Sequence, residues 1–70
     1  MYEKEKKSDF EMALWLLSEE MEAVSTYNYC IANCTDPELA NIMRENMAAE
    51  KAHASALLRW INKVAPAALM

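Results

Sequence analysis

Glycine is missing altogether from this chain of 70 residues, and proline occurs only twice. β-Branched residues are also few, so little is available for strands and the tight turns that join them. What remains is rich in Ala, Leu, Met, Glu and Lys, which lose little side-chain entropy in a helix. An all-α chain is the expectation. A long uncharged apolar run is lacking too, which excludes a membrane-spanning helix. The start Met1-Tyr2-Glu3-Lys4 leads into further charge rather than a signal-peptide core. Positive charge is in deficit: the net charge is -4, which disfavours nucleic acid or an anionic membrane as a partner and makes cations the natural guests. The expected setting is soluble and cytoplasmic.

Cysteine is scarce as well, with Cys30 and Cys34 alone. A secreted disulfide framework normally carries more, and neighbouring turns of one helix are a poor place for a bridge. Two reduced thiols in a packed corner are the plain reading. A thiolate metal site and an intersubunit disulfide stay open beside it. The chain is a single domain, residues 1–70, near the lower size limit for burying enough apolar surface alone. A partner subunit, a metal or both should complete it.

Met1 to Lys7 reads as a charged, frayed leader. Ser8-Asp9-Phe10-Glu11 has the Ser-x-x-Glu spacing of a capping box, where hydroxyl and carboxylate satisfy backbone donors at a helix start. Helix one should run over residues 8–31. Ala32 to Asp36 is a short connector, Asp36 or Thr35 can cap the next helix, and Pro37 suits its first turn. Helix two should span 37–64, with Pro66 as its stop. A short link between two long helices implies an antiparallel hairpin.

Helical periodicity decides where the polar groups point. At about 100° per residue, Ala13, Leu16, Leu17, Val24, Tyr27 and Ile31 fall within about 60° of Glu20. Leu39, Met43, Met47, Ala54, Leu57, Ile61 and Val64 do the same around Glu50, with His53 and Asn46 on that face. Glu20 and Glu50 therefore stand where hydrophobes belong. Glu19 and Glu22 project about 100° and 160° from Glu20 and read as surface carboxylates. Trp15 and Tyr29 lie opposite Glu20, and Ile42, Ala49 and Trp60 flank the inner stripe of helix two, which suggests contacts beyond one pair of subunits as against isolated surface hydrophobes.

Glu50-Lys51-Ala52-His53 is a Glu-x-x-His step, weak by itself in a glutamate-rich chain. Burial gives it weight, because a desolvated carboxylate costs several kcal/mol unless a charge or donor compensates it. No Lys or Arg lies on either stripe; Lys51 and Arg44 point about 100° to 120° from Glu50. Di-iron four-helix bundles take one Glu from each of two helices and one Glu-x-x-His from each of the other two. This chain carries half of that set. Two hairpins face to face would hold two copies each of Glu20, Glu50 and His53, with four negative charges to balance two Fe(II) ions. Carboxylate and imidazole suit iron or manganese.

Glu19-Glu20-Met21-Glu22-Ala23-Val24, Tyr27-Asn28, the run Cys34 to Leu39, Glu50-Lys51-Ala52-His53-Ala54 and Leu57-Leu58-Arg59-Trp60-Ile61 carry a broader likeness. Through them the segment Leu17 to Val64 resembles the encapsulated ferritins, within the ferritin-like and rubrerythrin-like group. The resemblance implies a two-helix chain whose dimer forms a ferritin-like four-helix bundle with a di-iron ferroxidase centre. It also implies assembly into a ring such as a decamer, which acts as iron-oxidising cargo of an encapsulin nanocompartment, for iron storage or detoxification. It makes Glu20, Glu50 and His53 the iron ligands, with two Fe at each dimer interface, and Tyr27 a neighbour of the centre. Glu19 and Glu22 become an entry site that attracts Fe(II). Thr26 stands where some relatives carry Trp, and the tail Ala65 to Met70 contains no shell-docking peptide of the kind that such cargo bears.

The implied reaction is oxidation of Fe(II) by dioxygen or peroxide at a carboxylate-bridged pair, with mineral stored outside a hairpin too small to form a hollow shell. Tyr27 would orient a ligating carboxylate by hydrogen bonding, or else is an amphipathic core aromatic. The rival readings are a peroxidase-like di-metal protein, a purely structural di-metal dimer and a metal-free helical adaptor. The first would be expected with a Cys-rich rubredoxin module, and the last would tolerate loss of the ligands.

Overall fold

The computed structural model describes residues 7–68. The expected frayed leader lies outside them except for Lys7, as do the last two residues of the tail. Two helices account for nearly all of what is described: α1, Asp9–Ala32, and α2, Pro37–Ala68. Their ends follow from local chemistry. The Glu11 backbone N–H donates to the Ser8 hydroxyl at 3.1 Å, and the Ser8 N–H donates to the Glu11 carboxylate at 2.8 Å. That reciprocal pair is a capping box. With no glycine at hand, α1 ends on Asn33, whose φ of -106° needs no left-handed turn. The Asn33 backbone N–H reaches the Tyr29 and Cys30 carbonyls at 3.2 Å, and its side-chain amide adds a 2.8 Å bond to Tyr29. An amide side chain thus does at this terminus what glycine commonly does.

The start of α2 is equally explicit. The Asp36 carboxylate accepts from the Leu39 N–H at 2.9 Å, and the Asp36 carbonyl accepts from the Ala40 N–H at 2.9 Å. Pro37 occupies the first turn, where its missing N–H is not needed. At the other end α2 continues through Pro66 to Ala68, past the expected stop at Val64. The proline nitrogen removes one bond, that to the Asn62 carbonyl, and its fixed φ is itself helical. That single loss does not end the helix.

The two helices pack on each other as an antiparallel hairpin. A shallow cleft brings Asp9 and Met12 of α1 beside Leu57 and Trp60 of α2, Glu20 lies near His53 in the middle, and Cys30 shares a cleft with Leu39 beside the connector. The seam has coiled-coil spacing. Phe10, Ala13, Leu17, Glu20, Val24, Tyr27 and Ile31 alternate steps of three and four along α1, and each is buried or half-buried. Ala40, Met43, Met47, Glu50, Ala54, Leu57, Ile61 and Val64 do so along α2. Glu20 and Glu50 therefore occupy seam positions.

One hairpin cannot cover its own apolar surface. Among the described residues only Ala13, Ala40 and Ile61 are buried hydrophobics, and none of the large side chains is fully enclosed. Leu16 and Leu39, which the helical wheel counts as inward, are 51% and 47% exposed. The seam is centred to one side of Glu20 and Glu50, so both leucines fall on the open flank. Met12, Ile42 and Trp60 are exposed on that flank as well. Trp15 is exposed, with the Lys7 ammonium 5.7 Å from its ring centroid, within cation–π range.

Replacing the capping hydroxyl tests the start of α1. Ser8→Ala should lower stability by about 1 kcal/mol, read from chemical denaturation at fixed protein concentration. An unchanged midpoint would show that the capping box contributes nothing to stability.

Candidate metal centre

Glu20, Glu50 and His53 converge at mid-height of the hairpin. Each offers a ligand atom, and these atoms lie within 4.8 Å of one another. The His53 Nδ1 is 3.6 Å from a Glu50 oxygen and 3.8 Å from a Glu20 oxygen. Glu50 and His53 meet because residues three apart on one helix share a face. Glu20 reaches them because antiparallel packing puts its seam position opposite that of Glu50. The carboxylates are recessed, at 23% and 28% side-chain exposure, while the imidazole is 61% exposed at the edge of the open flank.

The electrostatics of the cluster are unfavourable without a cation. The Glu20 carboxyl is held above its ordinary value of 4.5, first by a hydrogen bond shared with the Glu50 carboxyl, then by partial burial and by the Glu50 charge; His53 opposes the rise. Among the described residues, His53 is the basic group within ion-pair distance of either carboxylate. A divalent cation can neutralise both carboxylates. An oxygen and nitrogen donor set of this kind fits iron or manganese better than a metal that prefers sulfur. The residues present therefore fit a metal, and they leave its remaining coordination positions to be supplied by something else.

The other candidate residues stand apart from the cluster. Glu19 and Glu22 are exposed on flanks of α1 that turn away from Glu20. Tyr27 is half-buried in the seam two turns beyond Glu20. Thr26 bonds its own hydroxyl back to the Glu22 carbonyl at 3.1 Å. The close approach of the Glu20 and Glu50 carboxyls is not evident in the sequence. Their matching seam positions, each at the middle of a three-four repeat, are the signal that could have found it.

Comparison with known proteins shows what the chain is similar to. The EncFtn-like family matches residues 2–68. Over 60 residues the chain is 37% identical to the encapsulated ferritin-like protein of Rhodospirillum rubrum, covering 86% of this chain and 43% of that protein. Over 61 residues it is 36% identical to a ferritin-like protein of Thermotoga maritima, covering 87% of this chain and 54% of the other. The chain thus spans about half the length of the curated relatives it matches. No solved structure matches.

The raised Glu20 value fixes the sign of a pH effect. Folded Glu20 holds its proton more tightly than the unfolded chain does, so its stabilising contribution is complete below pH 4.5 and is lost as the pH rises through the folded value. Metal-free wild type should therefore lose stability relative to Glu20→Gln as the pH rises above 4.5. Urea denaturation across the pH series would check this. A wild-type minus variant difference that stays flat or rises with pH would contradict it.

Proposed function

The chain belongs to the EncFtn-like family, and from that membership and the Glu20, Glu50 and His53 cluster we propose that it is a ferroxidase. An iron-related, ferritin-like role comes with the family; oxidation of Fe(II) at a centre shared by two subunits is the finer reading. The observation that carries it is a ligand set placed beside an uncovered apolar flank. Two hairpins laid flank to flank make a four-helix bundle, cover Leu16, Leu39 and Trp60, and bring two copies of the cluster together. The homodimer is thus the smallest complete unit. A larger ring such as a decamer is consistent with further exposed hydrophobics at Leu14, Met21, Tyr29 and Leu58.

Two Fe(II) ions are the substrate. Their four positive charges match the four carboxylates that two copies of Glu20 and Glu50 contribute. On loading, the Glu20 and Glu50 carboxylates face the metal, and His53 turns its Nδ1 lone pair toward it. The second hairpin excludes water from the carboxylates, which strengthens their hold on the cation. Two Fe(II) each give up one electron, and dioxygen takes two electrons and two protons to become hydrogen peroxide, or peroxide takes them to become water. Tyr27 steadies a ligating carboxylate from the seam. Glu19 and Glu22, outward on α1, attract Fe(II) toward the centre. Fe(III) then mineralises elsewhere, and an encapsulin nanocompartment within the cytoplasm is the proposed location.

The test is anaerobic Fe(II) loading followed by air, with absorbance and native mass recorded. Glu20→Ala, Glu50→Ala and His53→Ala should each slow oxidation by at least about 100-fold, since even groups that only orient a ligand are worth 10- to 100-fold. Unchanged rates and metal content in all three would remove the site assignment; retained metal without turnover would favour a structural di-metal dimer. Leu16→Glu on the open flank should give a monomer that no longer oxidises iron. A monomer with full activity would rule out a centre shared between subunits.

A further inference from the structure

The connector end of the hairpin holds chemistry that the carboxylate centre does not use. Cys30 in the last turn of α1, Cys34 in the connector and Met43 in the second turn of α2 line one open cleft of about 390 Å³. Both cysteines are free thiols and half-buried. The Cys34 Sγ donates a 3.3 Å hydrogen bond to the Asp36 carbonyl, so a weak donor meets a single backbone acceptor. The nearby Asp36 carboxylate is already engaged by the Leu39 N–H. The cleft therefore offers three sulfur-bearing side chains beside the side-chain oxygens of Asn33, Thr35 and Asp36, and a soft ion selects the sulfurs from such a mixed set. Cys30 lies ten residues beyond Glu20, about 15 Å along the helix axis, so this is a place separate from the glutamate cluster.

We propose that this cleft is a soft-metal site that takes Cu(I) through the Cys30 and Cys34 thiolates, with the Met43 thioether as third ligand. Thiolate and thioether are the ligands that select Cu(I), whereas the carboxylates and imidazole of the central cluster suit harder ions. Binding breaks two S–H bonds, releases two protons to solvent and forms two Cu–S thiolate bonds, with a third Cu–S bond from the neutral Met43 thioether. Copper stays monovalent throughout, so no oxidant or reductant enters. The Cys34 hydrogen bond to Asp36 gives way to the metal, and the end of α1 becomes tied to the start of α2 across the connector.

The experiment is an anaerobic titration of the reduced, iron-free full chain with Cu(I) against a competing Cu(I) chelator, with ultraviolet absorption for the thiolate-to-copper transition and proton release by pH indicator. One copper per chain, about two protons per copper and the charge-transfer band are expected. Cys30→Ser and Cys34→Ser should each weaken binding by at least about 100-fold and Met43→Leu by about 10-fold, while Glu20→Ala and His53→Ala leave it unchanged. Alkylation of the wild-type thiols before titration should also abolish uptake, which guards against a serine variant that fails to fold. Copper uptake that survives alkylation, or that is lost with His53→Ala, would overturn the proposal. A disulfide that forms between Cys30 and Cys34 in place of copper binding would overturn it too.

Discussion

Two carboxylates at positions built for hydrophobes govern this hairpin. Glu20 and Glu50 stand in the middle of three-four repeats whose other members are almost all apolar. Leucines there would have closed the seam and made the hairpin an ordinary coiled-coil pair. The approach of Glu50 raises the Glu20 value, and His53 opposes the rise. That is a cost to the metal-free fold, and it disappears when a cation enters. Stability is given up at the position where a metal can return it.

The open flank follows from the same placement. A hairpin centred on the two glutamates would enclose them on every side and leave no approach for a cation or a second ligand set. Because the seam is offset, Glu20 and Glu50 sit at its edge, His53 lies beyond them, and Met12, Leu16, Leu39, Ile42 and Trp60 border the exposed groove. An apolar margin around a polar cluster is the anatomy of an interface. Metal ligation and subunit pairing would then use one surface. The scarcity of buried side chains in the single hairpin, with Ala13, Ala40 and Ile61 the buried hydrophobics among the described residues, fits a fold whose core is completed between chains.

Much of this arrangement is legible in the sequence because it is written in local signals. Ser8-x-x-Glu11 and Asp36-Pro37 carry their own hydrogen-bonding logic, and each is found at the helix start it marks. Helical phase puts Glu20 and Glu50 on facing stripes, and the two do meet His53. Three features were less accessible. Pro66 reads as a stop from local propensity, yet the helix runs two residues beyond it because the ring's fixed φ is itself helical and only one bond is lost. Leu16 and Leu39 read as core because a wheel drawn around the glutamates cannot reveal which way the seam is offset; that depends on how two helices roll against each other. Trp15 reads as an outward contact, and the cation over its ring comes from Lys7, outside the helix and outside any wheel.

In the proposed pair, metal loading and assembly are linked by thermodynamics as well as by geometry. Bringing two clusters together concentrates four carboxylates, and their repulsion opposes association of the metal-free chains while the covered hydrophobics favour it. A cation that binds the pair better than the single chain must strengthen the pair by the same factor. Association and iron loading therefore rise together. The acidic surface works in the same direction, because a chain of net charge -4 repels its copies weakly at a distance and attracts cations at all times. A sulfur cleft at the connector stands outside this coupling, since its ligands come from one chain. On these two proposals the hairpin would separate a centre that needs two subunits from a soft-ligand cleft that one subunit completes, with the first in the seam and the second at the turn.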